Sequence, residues 1–253
     1  MSLITTITFL SVLFTTSVAY QRWSIPSLNT RITDGQPANI RDHPWNVQIY
    51  FYGIPFCAGA IISPIYIVTN AQCTYQNPPN SLIIHAGSAI YGFGGVYLGI
   101  IEYFQHPKFE YYSRDYDISI LVLAEALQFS DNIAPARLPV DGLVLDPGTE
   151  GIVSGWGRVN ATSTLATHLQ EITMTTITLS ECRSLYSSVK VRSRHFCTLG
   201  QVACAGDVGS PFVINGVIIG LVSWGNDCGT STLPVVLTNV AYFRDYIREI
   251  TGI

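Results

Sequence analysis

A chain of 253 residues is long enough to bury a substantial core, and it suits one large β domain or two small ones. Its formal net charge is -4, only 12% of its residues are charged, and no basic stripe runs along it, so nucleic acid, heparin and anionic membranes are poor candidate partners. No C-x-x-C pair or histidine cluster is present, so neither a metal nor a cofactor is expected.

In chain order, residues 1–19 read as a signal peptide: no charged side chain, an apolar middle at 9–14, and a small-residue ending, Ser17-Val18-Ala19. Thr5, Thr6, Thr8, Thr15 and Thr16 interrupt the apolar run, which weakens the alternative of an uncleaved anchor. Once this segment is removed, a secreted protein with no membrane attachment is expected. Residues 20–31 read as a short loop. Alternation at 45–50 predicts a half-buried strand, and the β-branched runs at 61–69 and 81–86 predict two more. The glycine-rich turn at 92–95 has no phosphate-loop spacing and is given no nucleotide role. Pro135, Pro139, Gly142 and Pro147 mark 131–148 as the connection between two β units. Asn160-Ala161-Thr162 is an N-glycosylation sequon. Strands are predicted again at 151–154 and 213–222. Val240, Phe243, Ile247 and Ile250 fall on one face of a helix over 240–250, with Asn239 as its N-cap and Gly252 after its end. Six cysteines in a secreted chain imply disulfides, with 15 pairings open on spacing alone.

Several short motifs occur in a telling order. They are Arg31-Ile32-Thr33-Asp34-Gly35, His43-Pro44-Trp45, Val68-Thr69-Asn70-Ala71-Gln72-Cys73, Asp117-Ile118-Ser119-Ile120-Leu121, Gly155-Trp156-Gly157 and Cys204-Ala205-Gly206-Asp207-Val208-Gly209-Ser210-Pro211. Together they resemble the trypsin/chymotrypsin family of serine proteases over nearly the whole chain after residue 31. The resemblance implies an all-β fold of two six-stranded antiparallel barrels of the chymotrypsin type, the first over about 32–140 and the second over about 141–238, followed by a C-terminal α-helix at 240–250. It implies a propeptide at 20–31, a peptidase-like domain from 32 to 253, and the pairings Cys57–Cys73, Cys182–Cys197 and Cys204–Cys228. It also implies cleavage between Arg31 and Ile32, with the new amine pairing with Asp207; Asp34 departs from the family's usual glycine there.

Set against that family, the chemistry is missing. The nucleophile position holds Val208, which has no heteroatom, and the position of the catalytic histidine holds Gln72. A carboxamide does not shuttle protons near neutral pH. Asp117 is retained; its bland reading is a structural carboxylate that accepts a hydrogen bond from the Gln72 amide. Gly206 and Val208 keep the oxyanion-hole-like backbone positions. Val202 falls at the specificity-pocket floor and Val235 where many members keep glycine, so the pocket is expected to be filled; a narrow elastase-like pocket is the alternative. Ser223-Trp224-Gly225 corresponds to the edge that pairs with substrate backbone, leaving strand addition of an extended peptide open. Ser210 is expected to point away from the nucleophile position, and none of His43, His85, His106, His168 and His195 is expected to act as base.

The function expected is that of a secreted, monomeric pseudoprotease acting through a protein partner. The chain resembles inactivated arthropod paralogues of the mite group 3 allergen type, and that resemblance implies host complement or other immune proteins as partners. The alternatives are a decoy or regulator that binds protease inhibitors or substrates, a hydrolase of altered mechanism, and a storage or vestigial product.

Overall fold

A computed structural model describes residues 35–157, 165–186, 191–199, 206–225 and 233–253. The expected leader, the propeptide, Arg31, Ile32, Asp34, Asn160, Val202, Cys204 and Cys228 lie outside the described residues.

After the two-residue strand β1 (Gln36–Pro37), six strands form the first barrel: β2 (Asn46–Phe51), β3 (Ile54–Ile61), β4 (Tyr66–Thr69), β5 (Leu82–Ala86), β6 (Val96–Gln105) and β7 (Ser119–Leu123). They close in the order β2-β3-β4-β7-β6-β5, every pair antiparallel. The second barrel contains β8 (Glu150–Gly155), β9 (Gln170–Ile177), β10 (His195–Leu199), β11 (Pro211–Ile214), β12 (Val217–Trp224) and β13 (Val235–Asn239), with helix α1 (Leu179–Leu185) between β9 and β10. Pairing of β8 with β9 closes this sheet into a second six-stranded ring. Strand β1 pairs with β9, so Gln36 and Pro37 join the second barrel although they precede the first in sequence.

The three largest apolar clusters among the described residues fill the barrels and their seam. One fills the first barrel around Val47, Ile67, Ile84 and Leu121, and one fills the second around Val153, Met174, Phe212 and Leu237. The third lies in the seam, where Ala60, Val68 and Ile120 of the first barrel meet Val213, Leu221, Val240, Phe243 and Ile247. The C-terminal segment thus buries the predicted helical face against both barrels. Its first turn is 3-10 (Val240–Phe243) and only then α-helical, α2 (Arg244–Thr251), which corrects the continuous helix expected over 240–250. The Asn239 side chain caps the start by accepting from the Ala241 N–H at 3.0 Å, and Gly252 ends it at φ +75°.

Three strand expectations change. Residues 46–50 are buried on both sides rather than half-buried. Their polar members bond inside: the Asn46 Nδ2 donates to the Ser154 carbonyl at 2.9 Å and its hydroxyl at 2.8 Å, across the seam, while Asn46 Oδ1 is covered without a partner. Gln48 Oε1 accepts from the Tyr50 hydroxyl at 2.9 Å. The run at 61–69 is broken at Ser63-Pro64, where the Ser63 hydroxyl accepts from the Tyr66 N–H at 3.0 Å. The run at 213–222 is a hairpin, because Asn215 and Gly216 both take left-handed φ, +49° and +75°.

Candidate functional site

Gln72 lies in a single 3-10 turn, Ala71–Cys73, directly after β4. Asp117 precedes β7, and Ser223 lies near the end of β12. The two barrels bring these three residues to the seam, where all are buried. Asp117 receives three donors. The Gln72 backbone N–H reaches Oδ1 at 2.9 Å, the Gln72 side-chain Nε2 reaches Oδ2 at 2.6 Å, and the Ser223 hydroxyl reaches Oδ2 at 2.5 Å. Gln72 Nε2 also donates to the Ser223 carbonyl at 2.9 Å. Both of its neighbours are acceptors, which fixes the orientation of the amide. Its Oε1 is covered and has no hydrogen-bond partner. Burial pushes the Asp117 carboxyl above the usual aspartate range, and the donors from Ser223 and Gln72 pull in the opposite direction. Its backbone carbonyl is held by the Asn70 amide and the Thr238 hydroxyl, each at 2.9 Å. Ser223, read in sequence only as part of a binding edge, is therefore also a ligand of Asp117. No short-range signal marks it, because the two residues are 106 positions apart.

Val208 heads the turn between Gly206 and Gly209, only 3% exposed, and packs with Cys57 and Cys73 at the margin of the first barrel's core. Its carbonyl accepts from the Ala58 N–H at 2.7 Å, tying the turn to β3. Gly209 is required there: at φ +89° a Cβ would stand 2.0 Å from the Ala58 carbonyl oxygen. Gly206 also takes positive φ, +95°. Asp207 is fully buried, and its Oδ1 accepts from the Gly157 N–H at 3.0 Å.

The Trypsin family profile matches residues 32–247. The chain belongs to the trypsin family. It is 32% identical to a trypsin of Phaedon cochleariae over 232 residues, covering 89% of this chain and 90% of that one. It is 33% identical to trypsin delta of Drosophila melanogaster over 229 residues, covering 88% and 89%. Among solved structures it is similar to the scabies mite inactivated protease paralogue S-D1, with a TM-score of 0.79 and 24% identity over 87% of this chain and 98% of that one. At that identity the likeness establishes the two-barrel fold.

The remaining expected residues distribute around this family site. Val235, at the start of β13, is 3% exposed and embedded in the second barrel's core with Val222 and Leu237. Trp224 pairs with Val236 of β13 and stands edge-on to Tyr186, 4.9 Å between ring centroids. Gly225 follows directly, beyond the last residue of β12. The Ser210 hydroxyl is fully buried, 2.7 Å from where a Cβ on Gly155 would lie, and has no hydrogen-bond partner. None of the histidines reaches the Gln72–Asp117 network. His43 pairs with Glu171 at 2.6 Å, and His85 with the Gly94 carbonyl at 2.8 Å. His106 stacks on Tyr116, exposed His168 bonds Thr167, and His195 bonds the Arg114 carbonyl. Two of the expected disulfides are present, Cys57–Cys73 beside Gln72 and Cys182–Cys197 between α1 and β10. Such bonds fit an extracellular protein. No helix among the described residues is long and apolar enough to cross a membrane.

Proposed function

We propose that this trypsin-family chain is a secreted non-catalytic homologue that acts by binding a protein partner. One observation carries the reading: the turn at Gly206–Gly209 offers an isopropyl group at Val208, and the residue bonded to Asp117 is the amide Gln72. Acyl transfer in this family needs a hydroxyl nucleophile and a base that accepts its proton. Gln72 spends its N–H groups on Asp117 and Ser223 and has no titratable nitrogen. Loss of nucleophile and base together lowers turnover by about six orders of magnitude. Val235 fills space where many members keep glycine, which supports a closed specificity pocket with Val202 as its floor.

The partner in this reading is a protein of a host complement or other immune cascade, held by the edge at Ser223, Trp224 and Gly225 or by an outer face. Cleavage at Arg31-Ile32, insertion of the Ile32 amine beside Asp207 and a third disulfide, Cys204–Cys228, belong to the same proposal. N-terminal sequencing of secreted material is expected to begin at Ile32; a start at Tyr20 would count against it. A fluorophosphonate probe is expected to leave the folded protein unlabelled, and covalent labelling would overturn the non-catalytic reading. A pull-down from host serum with the folded protein as bait tests the binding role: specific capture of cascade recognition proteins supports it. Capture of protease inhibitors alone would replace it with a decoy role.

A further inference from the structure

No Asp, Glu, Lys or Arg occurs between Asp42 and Glu102, although 12% of the chain is charged. That stretch builds β2 to β5 and most of β6, so the strands of one flank of the first barrel carry no formal charge until Glu102 at its edge. Leu82, Ile84, Ala86 and Ile100 belong to the barrel core, and the residues between them on β5 and β6 point the other way. Ile83, Tyr97 and Ile101 stand on that outer side, 38%, 49% and 63% exposed. Ile83 pairs with Gly99, which lies between Tyr97 and Ile101 and would meet nothing within 4 Å if it carried a Cβ. The result is a shallow apolar hollow about 13 Å long.

Two loops extend this flank. The β2–β3 turn holds Tyr52 at φ +47° and 71% exposed, and its N–H bonds the Ser81 carbonyl at 2.9 Å, two residues before Ile83. An aromatic residue in the left-handed region costs more than the Asn or Gly usual at such a turn. Between β5 and β6, Phe93 is also 71% exposed, flanked by Gly92 and Gly94 at positive φ. That loop is pinned: the Ser88 hydroxyl donates to the Phe93 carbonyl at 2.6 Å, and His85 Nε2 donates to the Gly94 carbonyl at 2.8 Å. The His85 ring stacks against Tyr97, with centroids 4.2 Å and planes 7° apart. Burial holds the His85 pKa below its usual value, which keeps the flank uncharged at neutral pH.

Taking about 200 Å² for a fully exposed large side chain, Tyr52, Ile83, Phe93, Tyr97 and Ile101 offer on the order of 600 Å² per copy, the upper end for the largest apolar patch of a soluble monomer. Two such patches face to face bury on the order of 1,200 Å², the lower end for a specific interface. We propose that this flank of the first barrel is a self-association surface, on which a second copy of the chain docks about a two-fold axis, in place of the monomer expected from the sequence. In such a contact each residue near the axis meets its own counterpart. A charged face would set like charges against each other, whereas Tyr, Ile and Phe meet their counterparts without that cost. With a net charge of -4, two copies approach with least repulsion where charges are absent. A lipid surface would call for cations at the rim, and this stretch supplies none. Self-association here is independent of partner binding at the cleft edge.

Sedimentation equilibrium of the folded protein is expected to show a monomer–dimer equilibrium with a Kd of about 50 μM, tightening as salt rises because screening reduces the repulsion between copies. Tyr52→Asn should weaken the dimer about tenfold while leaving the melting temperature unchanged or higher, since Asn-Gly suits that turn. Ile101→Glu should remove the dimer. Val144→Glu makes the same change of charge at a still more exposed apolar position, in the connection between the barrels, and should leave the dimer intact. A protein that stays monomeric at about 500 μM overturns the proposal. So does a dimer unchanged by both Tyr52→Asn and Ile101→Glu, or one that weakens as salt rises, which would point to ion pairs. Flotation of the monomer with phosphatidylcholine vesicles would replace the second copy with a lipid surface.

Discussion

Two buried aspartates, Asp117 and Asp207, flank the cleft, and they are kept in different ways. Asp117 sits in the seam and is surrounded by donors from flexible side chains, Gln72 and Ser223, as well as one backbone N–H. Asp207 is boxed by glycines: a Cβ on Gly157 would lie 2.0 Å from its Oδ2, and one on Gly155 2.5 Å from its Oδ1. The first environment asks only that some N–H face the carboxylate, and the Gln72 amide supplies it. The second tolerates no added atom. The donors around Asp117 are thus exchangeable side chains, while Asp207 sits in a rigid glycine box.

The largest expected effect tests the rigid side. Gly157→Ala should destabilise the fold by about 3 kcal/mol, because neither the backbone nor the buried carboxylate has room to move. Urea unfolding checks this, and a loss under about 1 kcal/mol would show the glycine box to be loose. On the other side, Gln72→Ala removes the donor shared by Asp117 and the Ser223 carbonyl and should cost about 2 kcal/mol. Gln72→His returns a ring N–H and should cost clearly less in the same assay; equal losses would mean that packing, not the hydrogen bond, holds Gln72. Val208→Ser exchanges a covered isopropyl group for a hydroxyl and should cost about 1.5 kcal/mol. It should not restore fluorophosphonate labelling, since Gln72 still cannot take the proton.

The smallest effect is that of pH. Burial lowers the pKa of His85 and His195, so the unfolded chain binds more protons than the folded one below about pH 6.5. Stability should therefore fall on acidification from pH 7 toward pH 5, seen as a lower melting temperature by circular dichroism. Asp117, with its raised pKa, works in the opposite sense: its protonation is easier in the folded protein. Gln72→Ala should flatten the acid loss by raising that pKa further. A melting temperature that rises steadily with acid would place Asp117 above the histidines in control of the profile.

The two-barrel fold was legible because six family motifs stand in order, and the C-terminal helix because its apolar face repeats at helical spacing. The polar positions of β2 were misread as outward-facing: alternation reports polarity, and Asn46 is polar yet buried, with its Nδ2 bonded across the seam. The Asn215-Gly216 hairpin carried a readable turn signal inside a run that was taken as one strand. At the site, Gln72, Asp117 and Val208 were marked by their neighbours in sequence. The Ser223 hydroxyl was not, since its bond to Asp117 joins segments from opposite barrels.

The sequence by itself determined the family and which atoms stand at the site: an amide at Gln72, a carboxylate at Asp117 and no hydroxyl at Val208. Those are properties of single residues within local motifs. Only the tertiary structure decided what those atoms do, placing Gln72 Nε2 between Asp117 and the Ser223 carbonyl. Hydrogen bonds act over about 3 Å, and closing two barrels against each other is what brings residues a hundred positions apart within that reach.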